Sequence, residues 1–178
     1  MKRTALLTLF FLAFSLQSVL AATTPAFRVS VGGGMVYDPM NQDPGSLAMA
    51  SVGYRVLPSF EVEVKAMRSG EFELDSDFTG ETFSLTAVTL GGRFITSTGD
   101  GDAGFVSFGL GGVEVKAEEA LPGADSTRTG LLARMGVGVD LAVTDAMGLT
   151  LESAFSRGFG NTDEVFTFDV TTSLFYRF

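Results

Sequence analysis

The chain has 178 residues, 46% of them hydrophobic, and 12 basic against 21 acidic residues give a net charge of −9. That acid excess argues against nucleic acid as a partner, which needs a basic face to displace counterions. The sequence holds no Cys and no His. This excludes disulfides, thiolate nucleophiles and an amino-terminal lipidated Cys, and it removes the commonest general base and metal ligand.

The first 21 residues have the build of a processing signal. Lys2 and Arg3 precede an apolar run from Ala5 to Leu20, which closes on the small-residue pattern Val19-Leu20-Ala21. A Sec-type signal peptide over residues 1–21 is expected, with a mature domain over 22–178 outside the cytoplasm. The run is short for an anchor, and no later stretch holds ~18 continuous apolar residues, so no membrane-spanning helix is expected.

Beyond it, segments that alternate apolar and polar are separated by Gly, Asp, Ser and Pro, the signature of strands and turns. The 22 glycines also disfavour helices, since each interior Gly costs about 0.5–1 kcal/mol relative to Ala. The spacing predicts strands near 26–37, 46–56, 59–69, 82–96, 104–117, 129–143, 147–158 and 164–178. Their connections alternate: "DPMNQDPGS", "SGEFELDSDFTGE", "AEEALPGADSTRTG" and "RGFGNTDE" are long, whereas "LPS", "STGDGDA" and "TDA" are shorter. Transmembrane barrels sort their loops this way, with long outward loops and short periplasmic turns, which puts both termini on the periplasmic side.

One parity per strand collects the apolar residues, such as Val29, Val31, Val52, Val64, Leu90, Met135, Val137, Leu151, Val170 and Leu174. The strand charges then share the other face: Arg28, Arg55, Glu61, Glu63, Lys65, Arg93, Arg134, Asp140, Glu152, Asp169 and Arg177. The acid excess falls in the long loops, at Glu71, Glu73, Asp75, Asp77, Glu81, Glu118, Glu119, Asp163 and Glu164. The segment "GFVSFGLGGVEVK" breaks the pattern, because Val106, Phe108 and Leu110 share one parity and Val113 and Val115 the other. A bulge or face switch near Gly111-Gly112 is the expected cause. The upper part of the fourth strand is ambiguous in the same way.

Periodicity does not say which face points outward, and a soluble lipocalin-like barrel would bury the apolar one. The remaining residues of the charged face are small, among them Ser30, Gly32, Gly34, Ser51, Gly53, Gly136, Ala154 and Ser173. Small residues suit the cramped lumen of an eight-stranded barrel, so the apolar face is turned to lipid. The fold class expected is all-β, an eight-stranded antiparallel up-and-down transmembrane β-barrel. Its lumenal charges must pair, because an unpaired buried ion costs several kcal/mol. A structural plug is the first reading; ion pairs that rearrange as the gate of a narrow pore are the second.

These residues resemble the small outer-membrane β-barrel family, which includes the transmembrane domain of OmpA and the OmpX-like barrels. The resemblance covers the whole mature chain and rests on the signal peptide, the strand count, the loop asymmetry, the Gly-rich strands "RVSVGGGMVYD" and "FGLGGVEV", and the terminal "FDVTTSLFYRF". It implies the outer membrane of a Gram-negative envelope, contact with lipid and lipopolysaccharide, and insertion by the β-barrel assembly machinery. Within the terminal strand, Leu174, Tyr176 and Phe178 match the family's assembly signal. A monomer without cofactors is expected. Two departures stand out: Trp is absent, so any aromatic girdle relies on Phe and Tyr, and the chain ends on the barrel without the peptidoglycan-binding domain of full OmpA proteins.

Family enzymes on similar barrels rely on a catalytic His, so their mechanisms do not transfer, and a Ser beside an Asp without a base is a poor nucleophile. The stretch Asp75–Glu81 resembles the opening of a calcium loop, with Asp75, Asp77 and Glu81 as weak candidate ligands. Thr79 and Thr86 stand where stronger ligands belong. A solvated acidic loop is the plainer reading; divalent cations bridging it to lipopolysaccharide phosphates is the other. "VSVGGGMV" lacks the Lys-Ser/Thr of a phosphate loop and opens no helix. The sequence therefore favours a non-catalytic barrel for envelope integrity or for adhesion through acidic loops, with a porin-like channel as the alternative and a soluble ligand-binding barrel third.

Overall fold

The computed structural model describes residues 27–39, 44–73, 82–99, 102–117 and 127–178. Nine strands account for nearly all of them: β1 (Phe27–Tyr37), β2 (Gly45–Leu57), β3 (Phe60–Ser69), β4 (Phe72–Glu73), β5 (Thr82–Gly99), β6 (Asp102–Ala117), β7 (Thr127–Ala142), β8 (Met147–Phe159) and β9 (Phe166–Arg177). Every pairing is antiparallel. The short β4 only extends the β5 edge, through Phe72 opposite Phe83. The other eight form a closed ring, because β3 pairs with β5 and β1 pairs with β9.

Closure satisfies every strand edge, which a lipid environment requires. At the seam, Phe27 and Phe178 exchange two backbone hydrogen bonds of 3.0 Å. Paired residues can be followed from Tyr176 through Val29, Val52, Val64, Leu90, Leu110, Ala133 and Arg157; the path returns to β9 at Phe166. The stagger is thus ten residues around eight strands, which corresponds to a strand tilt of about 40°.

The apolar parity faces outward: Val31, Leu90, Leu110, Leu131, Met135 and Leu174 are all exposed. Aromatic rings gather at the two ends of this belt. At the terminus end Phe27 packs on Tyr54 (4.9 Å between centroids) and Phe60 on Phe94 (4.9 Å). At the long-loop end Phe168 contacts both Tyr37 (5.2 Å) and Phe155 (4.7 Å). Phe and Tyr thus occupy both ends without any Trp, in the place where interfacial rings belong.

Three sequence expectations change. No bulge occurs at Gly111-Gly112, where both neighbours stay in register. Strand β6 keeps strict alternation, so Val113 and Val115 point inward and Glu114 and Lys116 outward. The parity switch arises because the inner face itself turns apolar toward the long-loop end. Register shifts lie instead at Arg55/Leu57 and Ser97/Gly99. The connection "STGDGDA" also shrinks, because β5 runs to Gly99 and β6 starts at Asp102. Finally, the β8–β9 connection is compact. Gly158 donates to the Val165 carbonyl (2.8 Å), Val165 donates to Thr162 (3.1 Å), Gly160 takes a φ of 77°, and Thr162 and Val165 are fully buried.

Candidate functional site

The inner face is built in three tiers, ordered from the terminus end to the long-loop end. Arg28 on β1, Arg55 on β2, Glu61 on β3, Arg93 on β5, Asp140 on β7 and Arg177 on β9 form the first. Asp140 is its hub: it accepts from Arg28 Nη2 (3.3 Å), Arg93 Nη2 (3.0 Å), Arg177 Nη2 (3.0 Å) and the Thr150 hydroxyl (2.7 Å). Glu61 sits 3.5 Å from Arg93, 3.8 Å from Arg28 and 3.8 Å from Arg55, as ion pairs rather than aligned hydrogen bonds. Two aromatic rings support the cations. The Arg93 guanidinium lies 3.7 Å from the Phe105 centroid, and Phe175 is shared by Arg28 (4.7 Å) and Arg177 (4.3 Å).

The inward Phe175 therefore acts as a cation–π shelf. Glycines make the room for both rings. A Cβ on Gly138 would meet the Phe105 ring, and one on Gly148 would meet Phe175 and the Leu141 carbonyl.

The middle tier centres on Glu152 of β8. Its carboxylate accepts from Lys65 Nζ (2.7 Å), Arg134 Nη1 (2.8 Å) and the Ser107 hydroxyl (2.6 Å). Arg134 reaches on to Asp169 (2.7 Å), and Lys65 to Glu63 (3.2 Å). Glu63 also accepts from Ser51 (3.0 Å) and lies 3.6 Å from Arg28, which links the two tiers. The eleven charges that the sequence places on the inner face all lie there, bridged across strands that the sequence places far apart. The charges alone reveal the network; Ser51, Ser107 and Thr150 share their parity but look like filler until their carboxylate partners are seen.

The third tier is apolar and was not expected. Val36, Leu47, Met67, Phe72, Val113, Val115, Leu132 and Val165 close into a buried cluster at the long-loop end. Beside Glu63, Lys65, Ser107 and Arg134 lies a cavity of about 10 Å³, room for roughly one water. Leu174 and Tyr176 on β9 and Phe178 just beyond it are all exposed on the outer face. Asp75, Asp77 and Glu81 lie outside the described residues, as do Glu118 and Glu119. Among the described residues no cluster of acidic side chains is placed to hold a metal ion.

The profile of the outer membrane protein beta-barrel domain matches residues 6–178, nearly the whole chain. The chain belongs to the outer-membrane β-barrel family. Outer membrane is therefore its location, and the apolar belt is its lipid-facing surface. No curated protein matches it. Solved structures show the same fold. Neisserial surface protein A shares 17% identity over 85% of this chain and 96% of its own, with a TM-score of 0.66. The amino-terminal barrel domain of Pseudomonas aeruginosa OprF shares 14% over 87% and 98%, with a TM-score of 0.61. The attachment invasion locus protein Ail of Yersinia pestis shares 16% over 88% and 100%, with a TM-score of 0.57. At such identities the likeness between this family member and those barrels is one of fold.

Proposed function

We propose that this barrel is a non-catalytic scaffold of the outer membrane, a rigid plugged cylinder that holds four outward connections for envelope integrity or surface attachment. One observation carries the reading: among the described residues the inner face holds paired charges below and an apolar cluster above, and the cavity beside the middle tier measures about 10 Å³. A conducting pore needs a continuous wetted path, and an eight-stranded barrel has an interior that side chains just fill. The channel reading is accordingly the weaker one. The fold shared with a protein named for attachment and invasion lends the adhesive variant some support.

The reading includes a cleaved export signal over residues 1–21 and insertion guided by Leu174, Tyr176 and Phe178. It also includes a monomeric barrel in contact with lipopolysaccharide. Absence of His and Cys from the whole sequence supports a role without catalysis. Planar-bilayer recording of the refolded protein tests the plug. No steps of porin size are expected, and unitary currents that change with Arg134→Ala or Glu152→Ala would favour the channel instead. A deletion strain tests the envelope role: raised detergent sensitivity is expected, restored by the intact chain.

A further inference from the structure

The charges of the two lower tiers do not balance. In the middle tier Lys65 and Arg134 lie among three carboxylates, Glu63, Glu152 and Asp169. The surplus carboxylate, Glu63, lies 3.6 Å from Arg28 of the first tier. Arg55, Arg93 and Arg177 are then left with Glu61 and Asp140. Arg93 reaches both of these, at 3.5 and 3.0 Å, and Arg177 holds Asp140 at 3.0 Å. Arg55 has Glu61 alone, at 3.8 Å, too far for a hydrogen bond. The unmatched cation is Arg55.

Its position lets a partner in from solution. The Arg55 side chain is 14% exposed and that of Arg177 13%, whereas Arg28 and Arg93 are 4% and 2% exposed. The pairing of β2 with β3 shifts register at Arg55/Leu57, and irregularities of this kind re-aim a side chain. Arg28 faces Gly53 of β2 on one side and Arg177 of β9 on the other, and Arg55 follows Gly53 by two residues. Three successive strands, β9, β1 and β2, therefore each turn a guanidinium into the terminus end of the lumen. Beside them Arg28 Nε, Arg93 Nη1 and Arg177 Nε are buried donors without an acceptor among the described residues. A surplus cation in such surroundings is costly unless a counter-ion joins it.

We propose that the terminus end of the lumen binds a small carboxylate, held by the fork of Arg55 and facing Arg177. A guanidinium offers two parallel N–H donors to two oxygens on one centre, a match that a halide does not make. A carboxylate carries one negative charge and so balances a surplus of one. It also offsets the repulsion between Arg28 and Arg177 across the seam. The site goes beyond the scaffold reading and does not depend on which way the barrel faces in the membrane.

The test uses the full barrel refolded in uncharged maltoside micelles at pH 7, with sodium acetate replacing sodium chloride at constant ionic strength. Acetate should shift the side-chain Nε–Hε resonances of Arg55 and Arg177 to saturation, leave that of Arg134 in place, and raise the urea midpoint. Sodium bromide, substituted in the same way, should do neither. Read at Arg177, the R55Q variant should bind acetate about tenfold more weakly, the loss of a hydrogen-bonding partner to a charged group. R55K keeps the charge without the fork and should recover only part of that loss. In chloride alone R55Q should unfold at no lower urea than the parent, because Glu61 keeps Arg28 and Arg93. Arg157→Gln, on the outer face, should change affinity less than twofold. Equal responses to acetate and bromide, unchanged affinity of R55Q, full recovery by R55K, or tighter binding of inorganic phosphate than of acetate would each overturn the proposal. So would a lower urea midpoint for R55Q in chloride, since Arg55 would then be a matched charge.

Discussion

Arg28 and Arg177 face each other as direct register partners across the closing seam, and Asp140 of β7 accepts from both, at 3.3 and 3.0 Å. Like charges directly opposite on paired strands repel. Here the repulsion falls on the one pairing that turns an open sheet into a barrel. Asp140 and the shared ring of Phe175 offset it, so the seam depends on a residue of neither strand. Removing the charge at Asp140 leaves three arginines around a neutral group.

Asp140→Asn should therefore destabilise the barrel by about 3–5 kcal/mol, the range for breaking a buried ion pair from one side. Thr150→Val removes one neutral donor to the same carboxylate and should cost about 1 kcal/mol. Urea titration in a single detergent, read by loss of the heat-modifiable band, measures both. A loss for Asp140→Asn no larger than that for Thr150→Val would remove the hub role.

Arg134 bridges Glu152 (2.8 Å) and Asp169 (2.7 Å) and so ties β7, β8 and β9 together. A double-mutant cycle between Arg134→Met and Asp169→Leu should give a coupling of about 0.5–3 kcal/mol. The double variant should be more stable than Arg134→Met alone, since it leaves one stranded carboxylate fewer. Additive losses would mean that the two side chains merely lie close.

The charged face could be read from the sequence because parity has a period of two and needs no tertiary knowledge. Parity puts Arg28, Glu61, Asp140 and Glu152 on one face, and the small residues that share that face turn it inward. Which charge meets which could not be read, since Lys65 and Glu152 are joined only by the stagger of a closed ring. The apolar tier was hidden for a different reason. Val113 and Val115 point inward like Ser107, but hydrophobicity marks them as lipid-facing, so alternation alone demands a bulge or face switch that β6 does not have. Parity also puts Phe175 on the inner face, but its role depends on guanidinium groups from β1 and β9 and on the space left by Gly148.

That space gives a sharp comparison of two glycines. Gly148 faces the lumen against the Phe175 ring, whereas a Cβ on Gly112 would find nothing within 4 Å. Gly148→Ala should cost about 1–3 kcal/mol through overpacking. Gly112→Ala should stay within about 0.5 kcal/mol of the parent. Equal effects at the two positions would show that the ring is free to move aside.

Leu131 and Leu132 are neighbours on β7 with opposite fates, one 67% exposed to lipid and the other 1% exposed in the apolar tier. Truncation to Ala removes the same methyl groups from each. Lipid chains refill the space left by Leu131, but Leu132→Ala leaves a cavity in the buried apolar cluster, and should cost about 2–5 kcal/mol. The Leu131 variant should cost less, in the same urea titration. The reverse order would mean that the tier is loosely packed.

Phe178 separates folding from assembly. Its ring lies 5.8 Å from Phe27 and 6.0 Å from Tyr176, an outward aromatic cluster at the seam. Loss of those contacts in Phe178→Ala is worth about 0.5–1.5 kcal/mol beyond the area buried, a modest fall for a purified barrel refolded in detergent. If the terminal strand also serves as an address for the assembly machinery, the amount of heat-modifiable protein reaching the outer membrane in cells should fall several-fold more than that loss in stability accounts for. Tyr54→Ala, which disturbs the same cluster from β2, provides the comparison: a similar in vitro loss with normal assembly is expected. Matched assembly defects for the two variants would reduce Phe178 to a packing residue of the seam.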